Sequence, residues 1–172
     1  GYQGLIFINI SPRSLVLSEF IPEVNRIVGE AGIARDHIVF EITERDTVKN
    51  MSLLEKFVGN LKAEGFKLAV DDFGSGFSSF HYLKHFPIDY VKIDGEFVAN
   101  MINNPKDHAV VRCISNLAQE LQAHTIAEYV ESEEVLKAVQ AIGISYAQGY
   151  YIRRPTPYIL EPAVLEQNSH RA

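Results

Sequence analysis

The sequence predicts an α/β fold in which parallel strands alternate with crossover helices. Two observations carry this expectation. Six short apolar runs, most of them rich in Val, Ile, Phe or Tyr, each end in a polar residue, and helical patterns lie between them. Strands buried on both faces read as continuous apolar runs, and strands joined through helices run parallel. A third observation points to function. A parallel β/α barrel builds its active site at the C-terminal ends of its strands, which is where these polar residues fall.

The elements follow in order. Leu5–Asn9 is the first strand, and Ser18 is placed to cap a helix carrying Ile21, Val24, Ile27 and Val28. Ile38–Glu41 is the second strand. Leu53, Leu54, Phe57, Val58 and Leu61 then recur at helical spacing, and Gly65 ends that helix. Leu68–Asp71 and Tyr90–Lys92 are the third and fourth strands. Val110, Val111, Ile114, Leu117, Ala118 and Leu121 form the next apolar stripe. Thr125–Glu128 is the fifth strand. Ser132 caps a helix with Glu133 and Glu134 favourably placed in its first turn. Val135, Leu136, Val139 and Ile142 supply its buried face, and Gly143 stops it. Tyr146–Gln148 is the sixth strand. Arg154-Pro155-Thr156-Pro157 reads as a loop before a final short helix, and the polar tail 167–172 is expected to fray.

Bulk properties narrow the class. The 172 residues suit one domain, and 47% apolar with 22% charged residues is ordinary for a globular protein. A net charge of -6 argues against a nucleic-acid polymer as partner, which calls for a basic stripe. A small anionic ligand held by metals remains compatible with it. The single cysteine, Cys113, lies among Val110, Val111, Ile114 and Leu117 and is expected to be a buried structural thiol. No signal peptide and no apolar run long enough to cross a membrane is visible. The chain starts at Gly1 and reads as strand by Leu5, so a piece of a longer protein is expected.

The strand ends present Asn9, Glu41, Asp71, Asp72, Lys92, Asp94, Glu128 and Gln148. Oxygen donors of this kind suit Mg²⁺, Mn²⁺ or Ca²⁺, and no comparable His/Cys set is visible for zinc. Adjacent ionised carboxylates such as Asp71 and Asp72 repel, so they need hydrogen bonds, solvent or a cation. An Asp-Asp pair before glycine is by itself more often a turn; beside Asn9, Glu41 and Glu128 it points toward a metal site. Asp72-Phe73-Gly74 matches the kinase metal-binding tripeptide, but the other kinase signatures are absent. Gly74-x-Gly76 lacks the spacing of a nucleotide-binding fingerprint.

Two readings stand for Lys92, inside the apolar run Tyr90-Val91-Lys92-Ile93-Asp94. One is a structural ion pair with Asp94 or a neighbouring strand. The other is a cation that holds a nucleophilic water or a phosphate oxygen. His81 and His85 have helical ligand spacing, yet position 82 is Tyr and a surface helix face is the better reading. Glu131, Glu133 and Glu134 read as a solvated helix start, with Glu131 alone near enough to Glu128 to share a site. Arg153 and Arg154 either meet a phosphate or solubilise a loop.

Taken in order, Asn9-Ile10-Ser11, Glu41-Ile42-Thr43-Glu44, Asp71-Asp72-Phe73-Gly74-Ser75-Gly76-Phe77-Ser78-Ser79, Val91-Lys92-Ile93-Asp94, Ala127-Glu128-Tyr129-Val130-Glu131 and Gln148-Gly149-Tyr150 resemble the EAL family of cyclic-di-GMP phosphodiesterases. The resemblance runs from about Ile6 to Pro155. It implies a modified TIM (β/α)8-type barrel, here incomplete with about six of eight strands, and a single EAL-like domain over residues 1–172. It further implies two Mg²⁺ or Mn²⁺ ions per site, with cyclic-di-GMP opened to linear pGpG. Asn9, Glu41 and Asp71 correspond to ligands of one metal. Asp71 bridges to the second, which Asp72 and Glu128 also hold. Lys92 contacts the attacking water, and the glutamate at the Glu128 position has been viewed as the base. Glu44 corresponds to a brace for the loop after Asp72. Asp94, Tyr129, Glu131 and Gln148 join it as substrate-binding or loop-supporting residues.

Two departures from the family pattern stand out. Many members carry Gly where this chain has Tyr129; an aromatic there is open to stacking on a guanine or to filling the rim. The Glu-Ala-Leu tripeptide that names the family, whose glutamate is a metal ligand, does not occur; the resemblance places it upstream of Gly1. The parent protein is therefore expected to be the enzyme, with residues 1–172 alone weak or inactive. The alternative is a degenerate domain that binds cyclic-di-GMP without cutting it, or a regulatory or dimerisation module. The resemblance also implies homodimers, GGDEF or sensory domains in the parent chain, and a bacterial cytoplasmic location, with the parent open to membrane anchoring.

Overall fold

A computed structural model describes residues 4–11, 14, 17–45, 51–75 and 85–157. Its elements run β1 (Ile6–Asn9), α1 (Phe20–Glu30), a 3-10 turn (Arg35–His37), β2 (Ile38–Thr43), α2 (Met51–Ala63), β3 (Lys67–Phe73), β4 (Tyr90–Ile93), α3 (Gly95–Asn100), α4 (Pro105–Glu120), β5 (His124–Ala127), α5 (Glu133–Ile142) and β6 (Tyr146–Ala147). The six strands form one sheet in chain order, and every neighbouring pair is parallel. Among the described residues this is a β/α half-barrel of six parallel strands, where the closed form has eight. Gly76–Ser79 of the glycine-rich motif, His81, the final short helix and the tail from Gln167 lie outside the described residues.

Alternation along the strands separates two apolar regions. Outward-facing Phe40, Ile42, Leu68, Val70, Val91 and Ile93 pack with Leu54, Phe57, Leu61, Val98, Val111 and Ile114 of the helices. The Phe40 ring meets Phe66 edge-on at 5.4 Å and Phe20 at 5.9 Å between centroids. Inward-facing Val39, Ala69, Tyr90 and Ile126, with Leu5 and Phe7, form a smaller cluster inside the barrel. One residue pair further along each strand, the inward positions become Glu41, Asp71, Lys92 and Glu128. The apolar inner layer is thus the floor beneath the polar strand ends.

The helix ends show where local signals hold. Ser132 accepts the Val135 N–H at 3.2 Å, and Gly143 stops α5 with a left-handed φ of 83°. Ser18 does not cap α1. Position 19 is the cap, and its backbone is already helical (φ -83°, ψ -5°), which carries the Ser18 hydroxyl away from the first N–H groups; it donates to Glu19 Oε1 at 3.3 Å instead. Cys113 is exposed, not buried. On α4 the buried face is Val111, Ile114, Ser115 and Ala118, and 100° per residue puts position 113 on the opposite side. Helix α3 shows no legible period in the sequence because its six residues span fewer than two turns. No described helix is long and apolar enough to cross a membrane.

Candidate metal and phosphodiester site

Parallel register places the candidate residues side by side. Asn9 pairs with Glu41 across β1 and β2, and Thr43 pairs with Asp71 across β2 and β3. Lys92 pairs with Ile126, two residues before Glu128. Because neighbouring strands lie about 4.8 Å apart, side chains at the same inward level meet.

Lys92 is the hub. Its Nζ lies 2.8 Å from Asp71 Oδ1, 2.9 Å from Glu128 Oε1 and 3.1 Å from Glu41 Oε1. The residue is 7% exposed. An ammonium held there without partners would carry a large desolvation cost, and three carboxylates offset it. Of the two sequence readings, a salt bridge to Asp94 is not formed; the partners come from β2, β3 and the end of β5. Burial works to lower the Lys92 pKa, but hydrogen bonds to Asp71 and Glu128 outweigh it and leave the ammonium more firmly protonated than an ordinary lysine.

One positive charge cannot neutralise the surrounding carboxylates. Burial raises the Glu41 and Glu128 pKa values above the ordinary 4.5, against the pull of Lys92. Burial, then repulsion from Asp71 and Asp94, raises Asp72 above 3.8. Excess negative charge held in a partly buried cleft favours binding of a further cation. Carboxylate oxygens of Asp71, Asp72 and Glu128 lie within 4.8 Å of one another. Three hard oxygen donors at that separation suit a hard divalent cation.

The titration has a direct consequence. For carboxyls with raised folded pKa values, the stability they contribute is fully present below the unfolded value and lost as pH rises through the folded one. A bound cation reverses that dependence, since it needs the ionised form. Metal affinity is therefore expected to fall as pH drops from neutral toward about 5, earlier than unshifted carboxylates would require. Isothermal titration with Mn²⁺ across that range checks this; a flat affinity down to about pH 5 would contradict it.

Asp72 reaches the cluster through an irregularity. The β3–β4 register shifts between Val70 and Phe73, and Asp72 adopts a left-handed φ of 54°. A regular strand would send two adjacent side chains to opposite faces. The shift lets an oxygen of each adjacent carboxylate approach Glu128. Asp72 N–H donates to Asp71 Oδ1 at 3.1 Å. Past the strand, Gly74 N–H donates to Glu44 Oε2 at 2.9 Å, with Glu44 itself 1% exposed.

The structure places the remaining candidate residues as follows. Asp94 Oδ1 accepts the Glu96 N–H at 2.8 Å and so caps α3. Asp94 and Tyr129 line a cavity of about 410 Å³ together with Asp72 and Glu128. Asn9 and Gln148 stand exposed at their strand ends, and Glu131 is exposed on the loop before α5. Gln148 O accepts the Val130 N–H at 3.0 Å, which ties the segment bearing Glu128 to β6. The Arg154 guanidinium sits 4.6 Å from the centre of the Tyr150 ring. Sequence reasoning passed over Gly95, Glu96 and Asn100, which line the same cavity. Gly95 directly follows the strand-end Asp94, and that adjacency was the available signal.

Comparison with known proteins accords with this geometry. A family model described as EAL domain matches residues 2–155. Cyclic di-GMP phosphodiesterase PdeB of Shewanella oneidensis is 41% identical over 152 residues, covering 88% of this chain and 18% of that protein. The chain spans about a fifth of the length of the curated relatives it matches, from 18% to 22% for the first three. Among solved structures, the PaMucR phosphodiesterase in complex with c-di-GMP superposes with a TM-score of 0.84 at 28% identity, covering 89% of this chain and 62% of that one. Klebsiella pneumoniae BlrP1, solved as a manganese/cy-diGMP complex, gives a TM-score of 0.84 at 30% identity, covering 88% and 39%.

Proposed function

We propose that this chain, which belongs to the EAL domain family, carries most of the active site of a metal-dependent phosphodiesterase that opens cyclic-di-GMP to linear pGpG. The observation that carries the reading is Lys92 gathered with Glu41, Asp71 and Glu128 at the C-terminal mouth of a parallel barrel, with Asp72 beside them. The names of curated relatives at 37–41% identity support the substrate.

Asp71, Asp72 and Glu128 would hold one Mg²⁺ or Mn²⁺, and Asn9, Glu41 and Asp71 a second. Bound there, the two ions supply Lewis acidity and an activated water for in-line attack on phosphorus. Lys92, kept protonated, does not act as a base; with cations drawing on its carboxylate partners, its ammonium would donate to the attacking water or a phosphate oxygen. Either Glu128 takes the water's proton, or activation by the cations suffices without a protein base. Water adds its oxygen to phosphorus, one ester P–O bond breaks, and the leaving oxygen gains a proton. Glu44 braces the Gly74 turn, and Asp94, Tyr129, Glu131 and Gln148 border the ligand.

The same reading proposes homodimers, GGDEF or sensory domains elsewhere in the parent chain, and action in the bacterial cytoplasm. The test is turnover of cyclic-di-GMP by the full-length parent with Mg²⁺ or Mn²⁺, with pGpG followed by chromatography. Production of pGpG is expected, and its absence with both metals overturns the proposal. Binding without turnover would identify a non-catalytic ligand-binding domain instead.

A further inference from the structure

Tyr129 is the least comfortable residue near the site. It directly follows Glu128, its backbone is left-handed (φ 55°), and it is 62% exposed. A bulky residue in that conformation is strained, so it persists only where its surroundings hold it. What holds it is visible. A Cβ built on Gly95, the first residue of α3, would lie 2.1 Å from Tyr129 Cδ2 and 2.6 Å from Cγ. The ring therefore rests against the bare Gly95 backbone, in space that any other side chain would occupy. The clash would involve Cγ and Cδ2, so Tyr129 would have to leave this χ1 rotamer and the ring its place on Gly95.

The exposed part of the ring borders the cavity shared with Asp72, Asp94, Glu96, Asn100 and Glu128. An aromatic surface open to solvent, fixed by a matched glycine and next to candidate metal ligands, suits the flat face of a nucleobase. Glycine at position 129 would satisfy the backbone without strain but would leave the cavity without that wall. Nothing in the hydrolytic chemistry requires a ring there, so its contribution is to binding.

Resting on the cyclic-di-GMP reading, we propose that Tyr129 is a stacking wall for one guanine of the ligand and that Gly95 is the positioning residue that seats it. Stacking on an aromatic residue contributes about 1–3 kcal/mol per base, roughly 5- to 150-fold in affinity. The contact is made to substrate and transition state alike, so its loss raises KM more than it lowers kcat.

The experiment uses the full-length parent. KM and kcat are measured with Mn²⁺, and the Kd for cyclic-di-GMP is measured by titration calorimetry in EDTA, which stops metal-dependent turnover. Tyr129→Phe is expected to bind within about twofold of wild type, and Tyr129→Leu to weaken by about tenfold or more, mainly in KM. Gly95→Ala should weaken binding to a similar degree, and adding Tyr129→Gly to Gly95→Ala should weaken it no further while recovering the thermal stability lost to the clash. Tyr129→Leu binding as tightly as wild type overturns the stacking wall while leaving the phosphodiesterase reading intact. Gly95→Ala that folds and binds like wild type overturns the seat. If Gly95→Ala does not fold, the Phe and Leu variants at position 129 still decide the wall. A wild-type parent that neither binds nor cleaves cyclic-di-GMP overturns both readings together.

Discussion

Asp71→Asn is expected to reduce the proposed phosphodiesterase turnover by about 10³-fold or more. Asp71 contacts Lys92 at 2.8 Å and shares the carboxylate cluster with Asp72 and Glu128. It is the residue placed to serve both proposed cation positions. Asparagine keeps the shape and one oxygen donor but removes the charge. Metal-assisted charge stabilisation is worth several kcal/mol, and about 4 kcal/mol corresponds to the stated loss. The substitution also relieves some repulsion on Asp72, so folding should not suffer greatly. The check is kcat with Mn²⁺ beside the thermal shift that Mn²⁺ produces. Both should collapse while the circular dichroism spectrum holds. Turnover within tenfold of wild type would remove Asp71 from the centre of the chemistry.

Lys92→Met is expected to have the largest effect on stability. The lysine is the shared partner of Glu41, Asp71 and Glu128, whose side chains are 5%, 14% and 14% exposed. Removing one member of a buried ion pair costs about 3–5 kcal/mol, because the partner charge stays behind uncompensated. For a chain of this length that is a melting-temperature drop of roughly 6–20 °C without metal at neutral pH. Two conditions should restore part of the loss. Acidification protonates Glu41 and Glu128, whose pKa values burial already raises and which lose the opposing pull of Lys92. Added Mn²⁺ places a new cation among the same oxygens, so its stabilising shift should exceed that in wild type. A variant melting within about 2 °C of wild type in EDTA would show that Lys92 is not the structural counter-ion of the cluster.

Legibility followed the range of the forces involved. The six strand runs were readable because each needs only a short apolar stretch, and the observed strands fall on them. Ser132 and Gly143 were readable because a cap is a contact within one turn. Ser18 and Cys113 were misread for related reasons. Each was judged by its neighbours in sequence, whereas chain direction entering α1 and the phase of α4 against the sheet decided the outcome. The sequence leaves Lys92 open to two readings because its three partners come from other strands and their ends. Gly95 drew no attention, since the ring that makes it necessary is supplied by position 129.

By itself the sequence determined the alternation of strands and helices, the polar residues at the strand ends and the family to which their order belongs. These depend on side-chain type and spacing along one chain. Only the tertiary structure decided that one ammonium is shared by three carboxylates, that a register shift in β3 brings Asp72 as well as Asp71 to Glu128, and that Tyr129 rests on Gly95. Each of these is a distance between residues far apart in sequence. Such distances are set by parallel register and by backbone conformations that local propensity disfavours and that surrounding contacts stabilise.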